Sequence, residues 1–554
     1  MRLIQRFSGA VTLGVAIAAV SVLSAPTSAV ASTTQIAMIQ DGSHLLADPQ
    51  GTLARFRLLG ATTVRVVVFW HDVTRSPGSR TAPSGFNATD PNAYPAANWA
   101  PYDAIVRDAK KDGITVDMTV AGGAPVWADG PGIPPVVGTN AHFAWKPSAK
   151  DYGQFVTAVG KRYSGSFKPK GQAATLPALP AVRFWAIWNE PNFGEDLGPQ
   201  AINGSSVSVA PGMYRSLVNA GWNALAATGH GHDTILIGEF AARGIGPGGP
   251  TKHAPQGYPG NYGQTKPLQF IRTLYCVDAS YHQLRGSYAA ARGCPTNAAG
   301  SRRFRAQNPG LFKASGVGDH PYPGNLPPTK DISTDPDFAS FPDIPNLERA
   351  LDRVNRAYGS GTRYPIYNDE YGYITHPPAS SDWVSPTTAA YYLNWAEYLS
   401  YRNPRVRSYM QYLLYDPPPV NGNGGFASGL LTSRGVQKPT YSAYRLPLYM
   451  PVTSAKAGSN LEVWGDARPA HVAELDTTTA QSVQIQFQRG SRGAFTTINT
   501  VKITNSSGYF DIHMKFHASG TVRLIWTYPK VDIFLPIASL GATVFSRHVQ
   551  ITLR

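Results

Sequence analysis

The chain has 554 residues, of which 42% are hydrophobic and 15% charged, a balance that excludes wholesale disorder. Its net charge of +15 comes from scattered lysines and arginines with no basic run interleaved with aromatics, which argues against a nucleic-acid partner. Two cysteines cannot build a structural zinc site, and the length calls for more than one domain.

In chain order, the first segment reads as a targeting signal. Arg2 and Arg6 precede an apolar run from Val11 to Leu23, and Ala29-Val30-Ala31 is an A-x-A cleavage site. Residues 1–31 are therefore expected to be a signal peptide, giving a secreted, extracellular chain that starts near Ser32. An uncleaved anchor is the alternative, but the run is short for a span and no later stretch is long enough to cross a bilayer. Without Arg2 and Arg6 the charge is +13. That excess suits either surface solubility or attraction to an acidic polymer.

From Gln35 to Leu446, β-branched runs alternate with helical patterns, the mark of βα units around a parallel sheet. Expected strands are Gln35–Gln40, Thr63–Trp70, Thr115–Ala121, Val182–Trp188, Thr234–Gly238, Gly316–His320, Tyr364–Asn368 and Val406–Leu413. Between them lie expected helices at Gln50–Leu59, Tyr102–Asp112 (stopped by Gly113), Ala149–Tyr163, Gly212–Thr228, Pro267–Cys276, Asn346–Tyr358 and Pro386–Tyr401, with a closing helix before Leu446. About eight such units close a barrel, so the fold class is α/β, a (β/α)8 TIM barrel over residues 32–448. An open doubly wound sheet is disfavoured because no Gly-rich dinucleotide loop follows an early strand. Cys276 and Cys294 are expected to form one disulfide in an exported protein, two buried thiols being the alternative. Residues 449–554 read differently. Alternating segments such as Val483–Phe487, Phe510–Met514 and Val522–Trp526 lie between turns, which points to a small C-terminal β-sandwich of accessory character.

Barrel enzymes carry their chemistry at the C-terminal strand ends. Strand four ends in Trp188-Asn189-Glu190-Pro191-Asn192 and strand seven in Asn368-Asp369-Glu370-Tyr371-Gly372, with the glutamates 180 residues apart. Cleaving an acetal needs such a carboxyl pair, one to protonate the leaving oxygen and one to attack or to activate water. Asp369 is the rival acid beside Glu370, since adjacent strand residues face opposite ways. Trp70, Trp127 and Tyr371 offer faces for sugar rings, or else belong to the core. Glu239, ending strand five, either lines the cleft or supports it from behind. No His-x-x-x-His, acidic calcium loop or Gly-x-Ser-x-Gly elbow is present, so no metal and no cofactor is called for.

These motifs resemble glycoside hydrolase clan A, most of all secreted bacterial cellulase-like proteins of the family 5 and family 39 types. The resemblance spans Gln35 to Leu446. It implies a retaining glycosidase with Glu190 as acid/base, Glu370 as nucleophile and carboxylates about 5 Å apart. Arg65 matches the strand-two arginine that keeps the nucleophile ionised, and Asn189 the residue on the sugar 2-hydroxyl. His320 and Tyr322 match strand-six positions that orient substrate and nucleophile. The clan's usual strand-eight Trp is missing from Gln411-Tyr412-Leu413, so Tyr412 or a residue from elsewhere is expected as the platform. Trp70-His71-Asp72 also departs from the common pattern, which leaves the sugar and linkage open. A poly- or oligosaccharide is the expected partner, with no nucleic acid and no membrane span. A transglycosidase shares the same apparatus. A non-catalytic carbohydrate-binding protein on a hydrolase barrel is the rival from another class.

Overall fold

The computed structural model describes residues 31–554 apart from 135–140, 203, 206, 247–257, 259, 332 and 422. The expected signal segment, with Arg2, Arg6 and the Val11–Leu23 run, thus lies outside the described residues. Among the described residues, no helix is long and apolar enough to cross a membrane.

Eight parallel strands close into a barrel in chain order: β1 Ile36–Gln40, β2 Thr63–Phe69, β3 Thr115–Ala121, β4 Phe184–Ile187, β5 Thr234–Ala241, β6 Gly316–His320, β7 Ile366–Asn368 and β8 Val406–Tyr412, the last pairing back onto β1. The pleat sorts each strand's residues. On β2, Val64, Val66 and Val68 face the surrounding helices and join the main hydrophobic cluster with Leu53, Ile105 and Phe155. The alternate residue Arg65 faces inward. Phe184, Ala186 and Leu236 form an apolar layer inside the barrel, with Ile36 and Tyr367 packed on it. A layer of buried polar groups is also enclosed: Arg65, Asp117, Thr119, Glu239 and Asp369.

Glycines on β6 make room for that layer. A Cβ on Gly318 would stand 2.2 Å from Asp369 Oδ2 and 2.8 Å from Glu239 Cγ, and one on Gly316 would stand 2.6 Å from the Tyr367 ring. Strand five was expected to end at Gly238. Instead it runs on to Ala241 through a bulge, with the register shifting between Gly238 and Phe240 and Glu239 at φ 51°. A bulge adds one residue and re-aims a side chain, and here Glu239 turns into the barrel, fully buried.

The helices follow the expected order with small shifts at their ends. Helix Ala96–Lys111 starts a turn and a half before Tyr102, and Gly113 past its end has φ 67°. Helix Pro386–Tyr401 falls where the sequence placed it. A short helix, Gly42–Ala47, was not anticipated; Asp41 caps it, its side chain accepting from the His44 N–H. Cys276 and Cys294 form the disulfide, and Arg215 Nη1 lies 3.1 Å from Cys276 Sγ.

After the closing helix Pro439–Arg445 come two further sheets. One has the order Ser454–Ala455, Val549–Leu553, Gly520–Thr527, Ser482–Arg489, Thr496–Lys502, with Thr543–Phe545 on its third strand; the other has Tyr509–Lys515, Asn460–Asp466, Leu448–Tyr449. Val463, Val483, Ile485, Val522, Leu524 and Ile551 fill the space between them. Helix Arg468–Thr477 was missed by the strand-only expectation for this region. Its Arg468 is buried between Glu397 of the barrel helix and Asp466, over the face of Tyr444.

Candidate active site

β4 stops at Ile187, and the backbone then turns sharply. Trp188 (φ 73°) and Glu190 (φ 36°) both occupy left-handed conformations that non-glycine residues rarely adopt. Tertiary contacts hold the turn. The Trp188 indole lies on Gly122, where a Cβ would stand 2.3 Å from the ring, and the Glu190 N–H donates to the Glu239 carbonyl at 3.1 Å. Asn192 bonds the neighbouring wall: its Nδ2 donates to the carbonyls of Ala241 (3.0 Å) and Thr265 (2.8 Å), and its Oδ1 accepts from the Ala241 N–H.

Arg65 organises the site floor. Its Nη2 donates to Glu239 Oε2 (2.5 Å) and Asn189 Oδ1 (2.7 Å), and its Nη1 to Glu370 Oε2 (2.9 Å) and Gln40 Oε1 (2.7 Å). Nε reaches Thr119 Oγ1 at 3.1 Å, and that hydroxyl donates in turn to Glu239 Oε1. Burial alone would lower the Arg65 pKa, but the charges of Glu239, Glu370 and Asp369 outweigh it and push it well up, so the guanidinium stays charged.

The two glutamates meet above this arginine. An oxygen of Glu190, an oxygen of Glu370 and a nitrogen of His320 all lie within 4.8 Å of one another. Glu370 accepts from Arg65 and from the Tyr322 hydroxyl (3.0 Å), so donors surround its charged form. Glu190 lies 2.8 Å from His320 Nδ1. Burial raises the Glu190 carboxyl to about 7; Arg65 opposes the shift and Glu195 adds to it. Burial takes His320 the other way, to about 4, so the ring is neutral at pH 7. Two similar carboxyls therefore sit in unlike electrostatic surroundings, the pattern that separates an acid from a nucleophile. The same three ligand atoms have the spacing to chelate a cation, but the Arg65 guanidinium on Glu370 opposes a second positive charge there.

Asp369 is not the rival acid at the mouth. It is fully buried beneath His320, its Oδ1 accepting the Asp319 N–H at 3.1 Å. Asp196, which the sequence gave no reason to single out, accepts from Asn189 Nδ2 at 3.1 Å; burial and the nearby Glu190 raise its pKa well above the usual range.

A cavity of about 240 Å³ opens over Glu190 and Glu370, with Tyr322, Arg243, Gln264, Phe193, Trp383 and Phe426 in its walls. Glu190, Glu370, Arg65, Asn189, His320 and Tyr322 are thus brought together as expected. Tyr412 stands beside Tyr322 and Phe426, with ring centroids 6.4 and 5.3 Å away. Three aromatic expectations are corrected. Trp70 is fully buried and stacked on Phe155, because it continues the outward parity of Val64, Val66 and Val68. Trp127 packs edge-on against Trp70 and Phe86 rather than in the cavity. Tyr371 is buried with Phe341, Tyr373 and Tyr409. Trp383 and Phe426 supply the aromatic walls instead, from loops that carry no periodic pattern.

No family model matches the chain, and no curated protein does. Among solved structures it is similar to a family 39 glycoside hydrolase from the gut symbiont Bacteroides cellulosilyticus WH2, at 14% identity over 87% of this chain and 80% of that one, with a TM-score of 0.45. It is also similar to a β-glucosidase from Thermotoga maritima (12% identity, 74% and 96% covered, TM-score 0.43). A third is an endo-β-1,4-mannanase from Thermotoga petrophila (10% identity, 94% and 98% covered, TM-score 0.40). Likenesses this distant speak to neither substrate nor reaction.

Proposed function

We propose that the protein is a secreted retaining glycoside hydrolase that cleaves O-glycosidic bonds of a poly- or oligosaccharide by double displacement. The observation that carries this reading is the separation of the two carboxylates: oxygens of Glu190 and Glu370 lie within 4.8 Å. Retaining enzymes need carboxyl groups about 5–5.5 Å apart, whereas inverting ones leave about 6.5–9.5 Å for a water. The protonation states agree, with Glu190 keeping a proton up to about pH 7 and Glu370 facing two donors.

In the first step a Glu370 oxygen bonds to the anomeric carbon as the glycosidic C–O bond breaks. Glu190 delivers its proton to the departing oxygen. In the second, Glu190, now ionised, takes a proton from water, whose oxygen displaces Glu370 from the same carbon. Both residues return to their starting states. Asn189, fixed by Arg65 and Asp196, stands where a sugar 2-hydroxyl is bound. The Cys276–Cys294 disulfide supports an oxidising, extracellular setting. The two C-terminal sheets act as an accessory domain that braces the barrel.

The test is mass spectrometry after incubation with 2-deoxy-2-fluoro activated glycosides. A sugar adduct mapped to Glu370 and missing from Glu370→Gln is expected. Adduct-free protein that still binds glycans would instead favour a carbohydrate-binding protein, and product transfer to sugar acceptors a transglycosidase.

A further inference from the structure

Leaving β5, the chain carries Arg243 into the cavity wall beside Gln264. This stretch is pinned in place. The Ile245 N–H donates to the Gln264 carbonyl at 2.7 Å, and the Lys266 N–H to the Ile245 carbonyl at 3.2 Å. At Gly244 a Cβ would stand 2.3 Å from the Thr265 carbonyl carbon, so only glycine lets the two segments touch.

Arg243 is half-buried, and burial lowers its pKa. Among the described residues it has no hydrogen bond, ion pair or aromatic face. Other arginines withdrawn from solvent do have partners: Arg162 pairs with Asp103, Arg272 with Asp337, Arg468 with Glu397, and Arg215 bonds the carbonyls of Leu274 and Gly293. Taking an unpaired guanidinium partly out of water is unfavourable unless something answers it. The rest of the cavity does not. Glu370 is already matched by Arg65, Glu190 lies against His320, and Asp196 accepts from Asn189. Glu195 is exposed and lies outside the cavity wall.

We infer that the cavity takes an acidic sugar whose carboxylate is received by Arg243. This rests on the glycosidase reading for the ligand's being a sugar. The guanidinium fork matches a planar carboxylate in two parallel hydrogen bonds. A sulfate ester carries the same charge in a tetrahedral group, so the two are separated by experiment. Trp383 and Phe426 provide apolar faces against which the ring can lie.

The test uses Glu370→Gln protein and calorimetric titration with matched neutral, uronate-bearing and sulfated oligosaccharides. The uronate ligand is expected to bind about ten- to a hundredfold more tightly than the neutral one, the range for a hydrogen-bonded charge. In the same background, Arg243→Gln removes that ratio and Arg243→Lys keeps part of it. Equal affinities, no binding of any ligand, or a uronate preference that survives in Arg243→Gln would each overturn the inference. A sulfated ligand that outcompetes the uronate would overturn the carboxylate assignment. Wild-type turnover of the same ligands is read separately: uronate binding without turnover sinks the hydrolase reading and leaves the Arg243 assignment standing.

Discussion

At the scale of single residues, the proton on Glu190 yields the most direct predictions. A carboxyl that titrates at about 7 as the required acid gives kcat/KM an alkaline limb near that pH. Glu190→Gln should lose the limb together with turnover of poor leaving groups. A limb unchanged in that variant would assign it to another group. Stability carries the same signature. Folding raises this carboxyl from 4.5 to about 7, so between those values the unfolded chain releases the proton while the folded one keeps it. Stability at this position therefore falls as pH rises through the window and levels off above it. The melting temperature of Glu190→Gln, compared with wild type, should rise from pH 5 to pH 8. A flat difference would mean that the folded protein does not hold this proton. The convergence of Glu190 and Glu370 was legible because strand-end motifs carry them, and that of Arg65, Asn189, His320 and Tyr322 because the resemblance assigned them to the same mouth. Trp70 was misplaced although its parity with Val64, Val66 and Val68 was there to be read. Arg243, Trp383 and Phe426 were out of reach because loops have no period to read.

At the scale of elements, the barrel was readable because buried parallel strands are near-continuous β-branched runs. The bulge in β5 was not, since one extra residue leaves no mark on hydrophobicity, yet it turns Glu239 onto Arg65. Gly318 is its counterpart on β6. Gly318→Ala drives a methyl into Asp369 and Glu239, and overpacking of that kind costs about 1–3 kcal/mol. Urea denaturation should show the loss, along with a fall in activity as the carboxylates are displaced; a full-strength, fully active variant would show that β6 yields. The disulfide acts locally, closing a separation of 18 residues. Replacing both cysteines by serine should cost about 3 kcal/mol by the loop-closure relation. Limited proteolysis between residues 276 and 294 checks it, and unchanged cleavage would refute it.

Across the whole molecule, the C-terminal sheets are tied to the barrel by a buried charge. Arg468 lies between Glu397 and Asp466, and Tyr509 donates from its hydroxyl to Glu397 at 3.3 Å. Arg468→Met leaves two buried carboxylates without their cation, a change worth about 3–5 kcal/mol. A chain cut after Tyr449 leaves Glu397 without that cation and also exposes Tyr398 and Tyr401, which pack against Trp464 and Tyr509. Calorimetry should show one transition for the intact protein and no cooperative transition for the truncated one. A barrel that melts normally by itself would reduce the sheets to a passenger. Two-residue periodicity marked these sheets in the sequence, but nothing local marked their attachment, which depends on partners 71 residues apart.

Arg65 bears on how such a protein can change over generations. The same guanidinium neutralises Glu239 within the barrel and Glu370 at its mouth, so a lineage under relaxed selection that discards it leaves Glu239 buried without its cation, at a cost of about 3–5 kcal/mol. Glu370, partly exposed at the cavity floor where water can take its place, can be lost while the molecule keeps its shape. Descendants that abandon turnover and retain sugar binding should therefore be found with the glutamate gone and the arginine still in place.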